Sequence, residues 1–219
     1  MISSPYPDVE LHWLDLSQPL DEPALDALRA DERERAAAFR FDRDKIRYTR
    51  RRAHLRRLLA EVTGRPAATL RYSVNDHGRP LLSGHPGLHF STSSSGDLGV
   101  VAISGHELGV DVEQVLPDQA DHDVARRLFA VEEVAALEAV APAEFARSFF
   151  NCWSRKEAYV KATGLGLSFP LGSFAVEVHD TPTPRLLRST LRPDDLDTCR
   201  LASLHVPGGG AAAALVLLP

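Results

Sequence analysis

The sequence predicts an α+β protein in which each half of the chain carries helices plus a small sheet, with a boundary near residue 105. Three observations predict it. A strongly helical pattern runs from Asp44 to about Thr63 and is closed by Gly64-Arg-Pro66. A second series of helical patterns spans 123–163 and is closed by Gly164-Leu-Gly166. Short apolar runs of strand length follow each series, so the halves repeat one order loosely, although their letters match only weakly.

The elements can be justified in order. Val9 to Leu16 is an opening strand. Pro19 and Pro23 introduce a helical stretch, and Asp31 with Glu34 three residues later suggests a capping box for the next helix. Asn75 to Pro80 is a turn-rich loop. Strands are expected at 88–91 and 98–103, with the serine-rich Ser91 to Ser95 between them. Ser104 to Glu107 then turns the chain into Leu108 to Val112, a hairpin at mid-chain. Helices follow at 123–129, 131–140 and 143–163, and strands at 174–179, 200–205 and 211–217.

Composition narrows the function classes. The 219 residues can bury a full core, and 44% hydrophobic with 25% charged residues is ordinary for a soluble globular chain. A net charge of −5 argues against a protein committed to nucleic acid. No long apolar run and no secretory leader are visible, which predicts no membrane span. Cys152 and Cys199 are far apart and form no metal or redox motif. They fit a reducing cytoplasm, with Cys152 a packing residue.

Two segments carry most of the chemistry. Gly109-Val-Asp-Val-Glu113 alternates as a half-buried strand does, so Asp111 and Glu113 share one face. The plain reading is a solvated strand face; the sharper one is a hard-oxygen seat for a divalent cation. Trp153-Ser-Arg-Lys-Glu-Ala-Tyr-Val-Lys161 reads as helix, placing Trp153, Glu157 and Lys161 at i, i+4 and i+8 on one face. Glu157 and Lys161 can be a plain surface ion pair, but alignment with a tryptophan favours a cleft edge, where they would supply a third carboxylate and an ammonium. Arg43 to Arg57 holds eight Lys or Arg residues in fifteen. Most suit a solvated face, but Arg52 falls on the apolar stripe of Tyr48, Leu55, Leu59 and Val62. There an arginine is costly unless an anion satisfies it, which makes Arg52 a phosphate candidate, with Arg47 secondary. Gly78-Arg79-Pro80 and Ser91 to Ser95 are unspecific alone. None of the nine histidines pairs at metal-ligand spacing.

In order along the chain, these segments resemble the Sfp-type 4′-phosphopantetheinyl transferases. The resemblance runs through Phe39 to Arg57, Gly78-Arg-Pro80, Phe90 to Ser95, Gly109 to Glu113, Trp153 to Lys161, and Gly164 to Ser168. It implies two similar α/β lobes in one chain, a pseudodimer, with an N-terminal lobe (1–105) contacting the adenine and 3′-phosphate of coenzyme A. A C-terminal lobe (106–219) would hold the magnesium site and the catalytic helix. It implies transfer of the phosphopantetheine arm of coenzyme A to a serine of an acyl, peptidyl or aryl carrier protein, with release of adenosine 3′,5′-bisphosphate. Asp111, Glu113 and Glu157 would hold Mg²⁺, with Glu157 or a water as base and Lys161 countering phosphoryl charge. Lys156 would add a phosphate contact. Gly78, Arg79 and Pro80 would border the adenine, and Arg47, Arg52, Ser93 and Ser94 the 3′-phosphate region. Ser94 stands where such enzymes commonly carry histidine, which implies weaker coenzyme A binding. The length favours the broad type serving polyketide and nonribosomal peptide assembly, as a cytoplasmic monomer without nucleic-acid or membrane partners. Glu132 and Glu133 are further candidates near the metal or carrier. A non-catalytic relative that binds coenzyme A or carrier, and a nucleic-acid module built on the basic helix, are the alternatives.

Overall fold

The structure, a computed structural model, describes residues 4–18 and 26–218. The helical stretch expected after Pro19 and Pro23 begins outside the described residues. Strand β1 (Val9–Asp15) is followed by helices α1 (Ala30–Ala37) and α2 (Asp42–Thr63). Helix α2 stops at Gly64, whose φ of 68° lets the chain turn away without a Cβ penalty. The capping expectation at α1 is displaced by two residues, because Glu32 rather than Glu34 reaches back and its Oε2 accepts the Arg29 N–H at 3.0 Å.

Three differences appear before mid-chain. The turn-rich loop is framed by a hairpin of β2 (Tyr72–Val74) and β3 (Pro80–Leu82), which its glycine and proline content concealed. The serine-rich segment is not a connection; it lies within strand β4 (His89–Ser95), paired to β5 (Leu98–Ser104). The expected mid-chain hairpin does not form. Strand β5 pairs with β1 and β4, whereas β6 (Glu107–Gln114) leaves for a second sheet.

Beyond β6 come α3 (His122–Leu128), α4 (Val131–Ala139) and α5 (Pro142–Thr163), close to expectation. The remaining elements are β7 (Phe174–Val176), β8 (Leu186–Ser189), α6 (Asp195–Thr198), β9 (Arg200–Ser203) and β10 (Ala211–Leu218). Strand β8 and the single turn α6 were not foreseen, since four-residue elements give too little periodicity to read.

The two sheets have the same antiparallel order, first, last and penultimate strand: β1-β5-β4 and β6-β10-β9. Side-chain alternation sorts their faces into layers. Val101, Ile103 and Phe90 pack with Leu55 and Leu59 of α2, while Val100 and Ala102 pack with Val110, Val112, Leu215 and Leu217 of the second sheet. On that sheet's far side, Ala212, Ala214 and Val216 meet Cys152, Ala158 and Tyr159 of α5. The layering is therefore helix, sheet, sheet, helix, with apolar cores in all three gaps. Gly109 makes the last gap possible, because a Cβ there would stand 1.9 Å from the Ala158 carbonyl oxygen. The expected burial of Cys152 holds, and both cysteines are free thiols.

Candidate active site

Strands β4 and β6 face each other across the junction of the sheets, and hydroxyls do there what a backbone ladder does within a sheet. Ser91, Ser93 and Ser95 point alternately toward β6. Ser91 Oγ accepts the Val110 N–H at 3.1 Å, Ser93 Oγ donates to Asp111 Oδ1 at 2.7 Å, and Ser95 Oγ donates to Glu113 Oε2 at 3.0 Å. Asp111 and Glu113 do lie on one face of β6, but that face is turned toward α5, and Asp111 is 2% exposed. The solvated-face reading fails for this reason.

Helix α5 supplies the opposite wall. From Ser148 to Thr163 every residue is buried except Trp153, Glu157 and Lys161, so the face expected from their spacing is the open one. Lys161 Nζ donates to Asp111 Oδ1 at 2.7 Å, to Ser93 Oγ at 3.1 Å and to the Val110 carbonyl at 3.2 Å. Asp111 Oδ2 is buried with no hydrogen-bond partner, an expensive state for a carboxylate oxygen. Burial raises Glu157 above the ordinary carboxylate range, and the Asp111 charge adds to this while Lys161 opposes it. Glu113 is raised by burial, by Asp111 and, more weakly, by Glu157, against the Ser95 hydrogen bond and Lys161. The three acids thus feel one another's charge. Among the described residues, however, no three acidic, histidine or cysteine side chains are gathered into a ready-made metal cluster. The donor set suits a hard divalent cation: one orphaned carboxylate oxygen and two carboxylates whose repulsion a cation would relieve.

A cleft of about 760 Å³ opens beside these groups. One wall is Gly78, Arg79, Pro80, Ser91 and Thr92, the other Trp153, Glu157, Lys161 and Leu171. Its size falls within the range of small-molecule sites, about 300–1,000 Å³. A second cavity of about 470 Å³ shares Gly78, Pro80 and Thr92 with it and is lined by Arg35, Arg51, Arg52, Tyr48 and Tyr72.

Comparison with known proteins gives this arrangement a family. Residues 107–216, which include β6 and α5, match the 4′-phosphopantetheinyl transferase superfamily. The chain belongs to that superfamily. A Bacillus subtilis 4′-phosphopantetheinyl transferase is 32% identical over 165 residues, 75% of this chain and 73% of that one. The transferase Sfp of Bacillus subtilis strain 168 is 28% identical over 89% of this chain and 84% of its own length. HetI, a 4′-phosphopantetheinyl transferase of a Nostoc species, is 30% identical over 88% of this chain and 86% of its own.

Within this transferase, Lys161 bonds Asp111, while Glu157 on the same open face of α5 and Glu113 on β6 feel the Asp111 charge; Gly78, Arg79 and Pro80 line the same cleft as Glu157 and Lys161. Four expectations need correction. Lys156 does not reach a phosphate: it is 0% exposed, and its Nζ donates to both Glu133 oxygens, at 2.6 and 2.7 Å, and to the Phe174 carbonyl at 2.9 Å. Glu133, correspondingly, is interior and far from serving a metal or carrier, while Glu132 pairs on the surface with Arg188 at 2.6 Å. The Ser93 hydroxyl is buried on Asp111 and so is not a phosphate contact. Arg47 is drawn to Asp97 at 2.8 Å and lies outside the linings of both cavities.

Two cationic candidates are modified rather than displaced. Arg52 lines the second cavity as expected, but part of its charge is met from inside, by Glu32. Arg79 lines the main cleft, yet its guanidinium donates to the Ala162 and Leu108 carbonyls at 3.0 and 3.3 Å, and burial lowers its pKa. It therefore ties the first wall to the second. Arg51 and Arg127, which also line the cavities, were hidden among neighbouring basic residues. The i, i+2, i+4 spacing of Ser91, Ser93 and Ser95 was a strand signal available in the sequence.

Proposed function

We propose that this chain transfers the 4′-phosphopantetheine arm of coenzyme A to a serine hydroxyl of an acyl, peptidyl or aryl carrier protein. The observation that carries the reading is a cleft large enough for a nucleotide-sized ligand with Glu157 and Lys161 on its wall, Lys161 being bonded to Asp111 and Glu113 lying two residues along β6. In the transfer, the serine oxygen bonds to the β-phosphorus of the coenzyme's pyrophosphate, the bond to the bridging oxygen breaks, and adenosine 3′,5′-bisphosphate leaves.

Asp111, Glu113 and Glu157 would hold Mg²⁺, which supplies positive charge against the pyrophosphate oxygens when bound. Lys161 contributes a donor and a fixed positive charge from the helix wall, where charge builds during phosphoryl transfer. A raised pKa suits Glu157 to accept the serine proton, directly or through a water. Arg79, held by two carbonyls, and Pro80 border the adenine, and Arg52 faces the 3′-phosphate side.

The shared strand order of the two sheets supports a pseudodimer of two similar lobes, 1–105 and 106–219, with the cleft between them. Both cleft walls come from one chain, which supports a working monomer. Two unpaired thiols suit the cytoplasm. The basic face of α2 would steer acidic carriers toward the cleft mouth. The test is to incubate the chain with coenzyme A, Mg²⁺ and an apo carrier protein and to weigh the carrier. A covalent phosphopantetheine gain that EDTA abolishes is the expected result. Coenzyme A binding with no gain on any carrier would instead favour a non-catalytic relative.

A further inference from the structure

The last turn of α5 is finished by residues from the other half of the chain. The final carbonyls of a helix have no partner within it. At the end of α5, the Val160 carbonyl accepts the Thr163 hydroxyl at 2.9 Å and the Lys161 carbonyl accepts the Gly164 N–H at 3.2 Å, both local bonds. The Ala162 and Gly164 carbonyls are met from 83 and 89 positions away, by Arg79 Nη1 at 3.0 Å and Asn75 Nδ2 at 2.8 Å. The approach is close, since a Cβ on Gly164 would stand 3.1 Å from Arg79 Cδ and 3.3 Å from Asn75 Nδ2. Lys161 belongs to this same turn, one residue before the first of the two carbonyls held from outside.

Asn75 is half-buried and absent from the linings of both cavities, so contact with a ligand does not account for it. Its Oδ1 accepts the His77 and Arg79 N–H groups at 3.0 and 2.8 Å, which closes the loop ahead of β3. Its Nδ2 is the group that reaches Gly164. The reverse amide orientation would set NH₂ against two N–H groups and an oxygen against a carbonyl, so the network fixes the orientation described. The loop needs an acceptor and the helix end needs a donor, and an amide supplies both from one short side chain. The negative end of the α5 dipole favours the Asn75 donor and the Arg79 cation alike. Asn75 therefore bears on Lys161 through the turn that carries it.

We infer that Asn75 is a positioning residue, whose amide clasps the end of α5 to the Asn75–Pro80 loop and so holds Lys161 on Asp111 before any ligand arrives. The part of Lys161 in catalysis rests on the transferase reading; the clasp does not. Lys45, Lys156 and Lys161 are the lysines of the chain, so the full chain labelled with ¹³C-lysine gives three Cε–Hε signals by NMR, and Lys161→Arg identifies the one of interest. Asn75→Asp keeps the acceptors of the loop and loses the donor to Gly164. In the free chain it should move the Lys161 signal toward that of the exposed Lys45 and leave the Lys156 signal in place. Its kcat for carrier modification should fall about tenfold, the scale of one hydrogen bond, with the coenzyme A KM within about twofold of wild type. Asn75→Ala removes donor and acceptor together. It should move the Lys161 signal in the same direction and also raise the KM, because the loop that lines the cleft is then released. Thermal melts of each variant confirm that the fold is retained.

A Lys161 signal that stays put in Asn75→Asp would overturn the inference, whatever happens to activity. So would a signal that moves in Asn75→Asp but not in Asn75→Ala, since the introduced charge rather than the lost donor would then be the cause. A change confined to the KM in Asn75→Asp would assign Asn75 to ligand binding and also contradict it. If the Lys161 signal moves as described but no carrier gains mass with the wild-type chain, the transferase reading fails while the clasp stands. If carriers gain mass and the Lys161 signal ignores Asn75, the reverse holds.

Discussion

Helix α5 carries two lysines five residues apart, each paired with a carboxylate, and the two pairs differ in almost everything else. Lys156 and Glu133 are both 0% exposed, and the remaining needs of both are met: Glu133 also accepts the Ala130 and Val176 N–H groups at 2.8 and 2.7 Å. The Lys156 ammonium lies 4.1 Å from the centre of the Phe174 ring. Lys161 is 30% exposed at its side chain, and its partner Asp111 keeps one oxygen without a donor. The first pair is closed on itself and fastens α5 to β7 and α4. The second leaves one buried carboxylate oxygen without a donor and an ammonium partly open to the cleft, the two groups that the proposed cation and anionic ligand would meet. The same two residue types make scaffold or chemistry according to whether the surrounding protein completes them.

The largest effect expected from breaking this contrast is on folding. Glu133→Ala strands a buried ammonium and should cost about 3–5 kcal/mol in urea or thermal unfolding. A Glu133→Leu, Lys156→Met pair should recover most of it. Lys161→Ala should behave oppositely. Its loss of unfolding free energy should be clearly smaller than that of Glu133→Ala, because the Asp111 carboxylate it leaves behind keeps the Ser93 hydroxyl as a donor and opens to water where Lys161 stood. Its kcat for carrier modification should fall about 10²–10³-fold, the scale of one lost transition-state donor. Equal stability losses at the two lysines would erase the distinction.

Gly109→Ala sharpens it, because the added Cβ meets the α5 backbone at Ala158 and Ala162. Overpacking of this kind costs about 1–3 kcal/mol. It should also move Lys161 from Asp111, lowering activity by more than stability alone explains; refolding yield and kcat measured together would show this.

The smallest effect is electrostatic. Glu157 titrates above the ordinary glutamate value of 4.5 in the folded chain, so its charged form opposes folding when no cation is bound. In EDTA, Glu157→Gln should therefore melt slightly above wild type at neutral pH. The gap should close as pH falls toward 4.5, where the wild-type carboxyl takes up its proton in both states. Cation affinity should fall over the same window, as protons compete for Glu157 and Glu113. A gap that widened on acidification would have the wrong sign.

What the sequence made legible follows from what periodicity encodes. Strand alternation placed Asp111 and Glu113 together, helix spacing placed Trp153, Glu157 and Lys161 together, and Gly64 and Gly164 marked both helix ends, because these are local properties of the chain. Periodicity does not say which face the rest of the protein seals. Lys156 is one residue from Glu157 and looked equally available until β7 and α4 enclosed it. Arg52 on an apolar stripe calls for a counter-charge, and Glu32, twenty positions away in a helix whose packing the sequence does not reveal, supplies one. The serines of β4 suggest a loop by composition, whereas their alternation is that of a strand.

The proposed chemistry requires the three carboxylates to serve one cation. The most direct measurement is Mn²⁺ binding to the chain in the presence of coenzyme A, followed by electron paramagnetic resonance. Wild type should bind one equivalent that Mg²⁺ displaces, and Asp111→Asn, Glu113→Gln and Glu157→Gln should each weaken it while Glu132→Gln does not. If Glu157→Gln left that binding unchanged, the acids of β6 and α5 would not share an ion, and the proposed centre would be wrong.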